Sequence, residues 1–144
     1  MTWTLRFNIL DDCPAAPKSV DNAVSATVLR TVTVTAASAT SLQKAFSDAT
    51  FGDDIVLPID TYSGNFSLPA PAGSSGSSPY NFVTVRSQSL SSLPASGVRV
   101  ATTDAVNMPI VRTTNDSAVI AVSTSASFYR FQGIEFAATK VDTT

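Results

Sequence analysis

The sequence predicts an all-β fold carrying one helix, on three observations. Short runs in which apolar and polar residues alternate recur along the chain, separated by stretches rich in Pro, Gly and Ser. One window, residues 41–50, instead spaces its apolar positions at helical intervals. The strand runs also fall loosely into two groups of three, offset by about fifty residues, as a coil with three faces would require. A β-sandwich is the alternative arrangement of the same strands.

Taken in order, residues 1–10, MTWTLRFNIL, place Trp3, Leu5, Phe7 and Ile9 on one face and read as a strand. DDCPAAPKSVDN then interrupts the pattern with two prolines and several turn-formers. Residues 1–30 are therefore an N-terminal strand with an irregular lead-in, and 31–144 form the main body. TVLRTVTVT, residues 27–35, is β-branched and alternating, so it predicts a strand. In the helical window, Leu42, Ala45, Phe46 and Ala49 fall at i, i+3, i+4 and i+7. Thr40 or Ser41 is the expected N-cap, and Gly52 the expected left-handed residue beyond the end.

Seven further strands are expected, at 54–58, 64–68, 82–87, 97–101, 109–113, 118–123 and 129–136. The first repeat group is DIVLP, GNFSL and FVTVRS; the second is PIVRT, AVIAVS and YRFQGIEF. Residues 69–81 and 88–96 are rich in Pro, Gly and Ser, which suits exposed loops.

Composition narrows the function. Apolar residues make up 44% of the chain and charged residues only 14%, so the polar surface is made mainly of hydroxyls. The nine basic residues are scattered and the net charge is −2, which argues against binding to nucleic acid. No apolar run approaches the roughly eighteen residues needed for a membrane span. The first twenty residues alternate, and no continuous apolar stretch of signal-peptide type is visible in them.

The chemistry is limited as well. Cys13 is the single cysteine and there is no His, so neither a Cys–His or Ser-His-Asp arrangement nor a zinc site of the usual kind can be assembled. AGSSGSS lacks the Lys of a phosphate-binding loop. No cofactor, metal or catalytic residue is assigned. Paired carboxylates remain chemically possible, since two acids suffice for glycoside hydrolysis. The candidates are Asp53, Asp54, Asp60, Asp104, Asp116 and Glu135. The aspartates all sit in turn-like contexts, and Glu135 alternates with Ile134 and Phe136 toward solvent. Arg86, Arg99, Arg112 and Arg130 show no acid cluster beside them in sequence. Tyr80, in an exposed Ser/Pro loop, is the one candidate for a surface sugar contact.

Several short motifs in the same order carry a resemblance. Phe51-Gly52-Asp53-Asp54-Ile55-Val56-Leu57, then Thr61-Tyr62-Ser63-Gly64-Asn65-Phe66-Ser67-Leu68, follow a strand and a helix. FVTVRS, LPASGVRV, NMPIV and FYRFQGIEF come later. Over residues 31–137 this resembles the N-terminal entry of right-handed parallel β-helix proteins of the pectate-lyase-like superfamily, of the bacterial secreted type. Departures are Phe51 in place of Pro, PIDTY in place of a glycine-containing turn, and Phe128 in place of His.

The resemblance implies the first coils of such a helix behind a capping strand and a capping helix. It implies an extracellular or cell-surface protein associated with polysaccharide binding or degradation. Within it this chain is a non-catalytic capping portion, because the family's sites lie on later coils. A small structural or adhesive module that self-associates is one alternative; a polysaccharide lyase or glycoside hydrolase is the other. YRFQGIEF lies early in the family, so the C-terminal strand is expected to be an uncapped edge awaiting further chain or a neighbour.

Overall fold

The computed structural model describes residues 28–73, 81–95 and 97–138. The strand expected at 1–10, Cys13 and Tyr80 lie outside the described residues. Among the described residues the strands are β1 (Arg30–Thr33), β2 (Asp53–Leu57), β3 (Thr61–Ser63), β4 (Phe66–Leu68), β5 (Val83–Ser87), β6 (Ile110–Arg112), β7 (Ile120–Val122), β8 (Tyr129–Gln132) and β9 (Glu135–Ala137). One α-helix, α1 (Ala39–Ser47), joins β1 to β2.

Every pairing is parallel, in three sheets ordered β1-β2-β5-β8, β3-β6-β9 and β4-β7. The chain therefore visits the three sheets in the same order twice, through β2-β3-β4 and β5-β6-β7, and begins a third circuit with β8-β9. The two groups of three expected from sequence were out of phase with these circuits. FVTVRS opens the second circuit instead of closing the first, and YRFQGIEF supplies two strands of the third. Two local features account for the shift. Thr61–Ser63 is a three-residue strand with one apolar side chain, too short to register as a period-two run. Gly133, at φ +63°, bends the chain between β8 and β9.

The sheets turn one set of side chains inward, in ladders. Val32, Ile55, Val85 and Phe131 occupy matching positions across the four-stranded sheet. Tyr62, Val111 and Phe136 do so in the second, and Leu68 with Val122 in the third. Such ladders arise because a period-two pattern repeated in parallel register stacks like upon like. Val56, on the opposite parity from Ile55 and Leu57, is also buried, so β2 is covered on both faces.

In the second and third sheets burial falls along the ladder toward the last strand, while in the first Val32 and Phe131 at the two ends are partly buried and Ile55 and Val85 between them fully so. Tyr62 is fully buried and Val111 nearly so, while Phe136 is 47% exposed; Leu68 is 3% exposed and Val122 63%. The core sits at the β2–β5 end, against α1. That helix packs across β3 and β4 and buries Leu42, Ala45 and Phe46. Phe46 places its ring edge-on to Phe66 and Phe131, with centroids 6.2 and 6.5 Å away.

The helix is where its stripe predicted, but its caps are not. Ser38 is the N-cap, its hydroxyl accepting from the Ser41 N–H at 3.1 Å, so Thr40 and Ser41 lie inside the helix. The helix ends at Asp48 with φ −93°. Gly52, at φ +87°, belongs to the turn into β2; a Cβ there would meet the Leu29 side chain at 2.8 Å. Residues 97–101, expected as a strand, are not one: Gly97 has φ +86°, and Val98 and Val100 are exposed. Their alternation meets no face to pack on, and they serve as part of the connection from β5 to β6.

Candidate functional site

The two consecutive carboxylates at the head of β2 take opposite sides of the strand, and each meets an arginine from a neighbouring strand. Asp53 is 1% exposed and accepts from Arg30 Nε at 2.9 Å and from the Thr50 N–H at 2.8 Å. Burial pushes its carboxyl up. The Arg30 hydrogen bond, the Thr50 N–H and hydroxyl, and the Arg30 charge outweigh this and hold it below its ordinary value of 3.8. Asp54 receives Arg86 in forked geometry, Nε at 2.9 and 3.0 Å and Nη2 at 2.9 Å. Arg86, one of four arginines with no acid cluster beside them in sequence, thus acquires a single acid partner through the β2–β5 register.

The remaining acids largely follow expectation. Asp60 accepts from the Thr61 N–H at 2.7 Å and Asp104 from the Ala101 N–H at 2.8 Å, both as turn residues. Asp116 lies in the bend between β6 and β7. Glu135 is half-buried on β9, opposite in parity to the inward Phe136. A general acid for glycoside cleavage needs a carboxyl raised toward neutrality. Asp53, clamped and lowered, is the reverse of that.

Tyr62 is a core residue, fully buried in β3. Burial, then the nearby Asp60 charge, raises its hydroxyl. Tyr129 is pushed up to about 12, chiefly by burial and also by Asp53; among the described residues its hydroxyl has no hydrogen-bond partner.

Sequence reasoning missed Asn65, which ties one circuit to the next. Its amide donates to Thr113 Oγ1 at 3.0 Å and to the Ala118 carbonyl at 2.9 Å, from the corner between β3 and β4. Thr113 is 5% exposed and donates onward to the Asn115 carbonyl at 2.9 Å. The available signal was the Gly-Asn pair just before a short apolar run. Asn65→Ala is expected to cost about 1–3 kcal/mol, since it strips a buried hydroxyl and a carbonyl of their donor. The check is the urea midpoint, which should fall with the circular dichroism spectrum retained.

No cluster of three or more His, Cys, Asp or Glu side chains suited to a metal occurs among the described residues. No helix among them is long and apolar enough to cross a membrane. Two surfaces among the described residues bear on function. The first is a cleft of about 280 Å³ between β1 and α1. The second is the end formed by β7, β8 and β9, each the last strand of its sheet, where Val122 and Phe136 stand exposed. Compared with family models, with curated proteins and with solved structures, the chain matches none.

Proposed function

We propose that the chain is the N-terminal capping portion of a right-handed parallel β-helix protein, itself non-catalytic, in an extracellular or cell-surface protein that binds or degrades polysaccharide. The observation that carries the capping role is the asymmetry of burial. The ladders are sealed where α1 crosses β3 and β4, and they open at β7, β8 and β9. A stack built this way protects one end and presents strand edges at the other, as a terminal unit of a solenoid must. The right hand follows from the strong preference of parallel crossover connections. The link to polysaccharide and the location rest on the motif resemblance. The pairing of Asp53 with Arg30 and of Asp54 with Arg86 supports a structural use of these acids.

The exposed Phe136 and Val122 favour a second reading, a module that self-associates through this end. Both readings expect the 144-residue chain on its own to associate, as read by sizing chromatography with light scattering. Phe136→Glu combined with Val122→Lys should shift the population toward monomer without changing the far-ultraviolet spectrum. A monodisperse monomer of the wild-type chain with cooperative unfolding contradicts both. Release of reducing or unsaturated sugar from a panel of polysaccharides contradicts the non-catalytic role.

A further inference from the structure

We propose that the side-chain amide of Gln43 stands in for a neighbouring strand on the outer edge of β4, and so closes that edge to strand addition by a second copy of the chain. β4 pairs with β7 on one side, where the Phe66 N–H donates to the Val119 carbonyl at 2.9 Å and the Ser123 N–H donates to the Leu68 carbonyl at 3.1 Å. Peptide groups of successive residues alternate between the two edges of a strand, so the N–H and C=O of Ser67 point the other way, toward α1.

One side chain takes both of these groups. The Ser67 N–H donates to Gln43 Oε1 at 2.8 Å, and Gln43 Nε2 donates to the Ser67 carbonyl at 3.0 Å. This is the paired exchange made by two residues directly opposite each other in an antiparallel ladder. It needs a donor and an acceptor side by side, which an amide carries and a carboxylate or ammonium does not. Gln43 Nε2 also donates to Ser47 Oγ at 3.3 Å, one helical turn on, which holds the amide in this orientation.

The edge lies within reach of another chain. Ser67 is exposed, and a cleft of about 460 Å³ opens beside the contact, with Thr40, Gln43, Lys44 and Ser47 on the α1 side and Asn65 and Phe66 on the other. Without the amide, an N–H and a C=O facing such a cleft form a template for an extended segment. The segment that fits is β4 of a second copy, brought up about a two-fold axis. Antiparallel pairing is what the amide imitates, and an edge meets its own image in that way. The inference concerns the end covered by α1. It stands whether or not the end at β7, β8 and β9 associates, and it does not depend on the polysaccharide reading.

Amide exchange and light scattering on the 144-residue chain test this, with Phe136→Glu and Val122→Lys present so that the other end does not contribute. Gln43→Ala removes the amide and keeps a good helix former. The Ser67 N–H should then exchange about tenfold faster or more, while the adjacent Phe66 N–H, which faces β7, keeps its rate. The mass at a given concentration should rise above that of the background chain. Gln43→Glu retains an acceptor for the N–H and adds a charge at the edge, so Ser67 protection and the background mass should both persist. Equal exchange at Ser67 with and without the Gln43 amide overturns the proposal. So does a matching rise at Ser67 and Phe66, which would make Gln43 a holder of the helix alone. An unchanged mass in Gln43→Ala overturns the exclusion of a second copy.

Discussion

Phe46→Ala is expected to lower stability by about 3–5 kcal/mol, a large share of what a domain of this size has. The ring is 1% exposed and stands edge-on between Phe66 of the first circuit and Phe131 of the third. Its removal leaves a cavity where helix and ladders meet, and the short strands around it cannot collapse far without breaking register. Thermal or urea denaturation should show either a much lower midpoint or a chain already unfolded at room temperature. Phe46→Leu, which keeps most of the volume, should recover a good part of the loss. If Phe46→Ala costs no more than an exposed substitution such as Thr40→Ala, α1 does not close the stack.

Asp53→Ala is expected to cost about 1–3 kcal/mol, because it unpairs Arg30 and leaves the Thr50 N–H without its acceptor. The cost stays below that of breaking a fully buried pair, since the Arg30 side chain is half exposed and can hydrate. The sign of the pH dependence follows from the lowered carboxyl. A depressed folded value means that the stabilisation is fully present above the ordinary 3.8 and drains away as pH falls through the folded value below it. Stability of the wild type should therefore drop on acidification below about pH 4, and Asp53→Asn should flatten part of that drop. An unchanged acid limb in Asp53→Asn would show that other carboxylates govern it.

How far these features were legible in the sequence depends on how local their causes are. The stripe Leu42, Ala45, Phe46 is a property of ten consecutive residues, and it located α1. Its cap was misplaced because three hydroxyl residues crowd the start, and only backbone geometry selects Ser38. β2, β5, β6 and β7 were found to within a few residues because β-branched side chains alternate there. Residues 97–101 alternate just as well and form no strand, since alternation says nothing about whether a face exists to receive it.

The ion pairs were hidden for a different reason. Asp53 and Arg30 are 23 residues apart, and Asp54 and Arg86 are 32 apart; only the parallel register brings them together. Asn65 spans 48 residues to Thr113 in the same way. Phe136 follows the same register: it continues the Tyr62–Val111 ladder onto β9, where it is 47% exposed.

Parallel stacking of successive circuits is tested most directly by a disulfide across β4 and β7. Ser67 and Ala121 are register partners on those strands, both exposed and 54 positions apart. Neighbouring strands lie about 5 Å apart, within the Cα separation a disulfide tolerates. In a Cys13→Ser background, Ser67→Cys with Ala121→Cys should close readily under mild oxidation as an intrachain bond. Ser67→Cys with Ser117→Cys, displaced along the partner chain, should not. Equal closure of the two pairs, or preference for the displaced one, would contradict the parallel three-sheet arrangement.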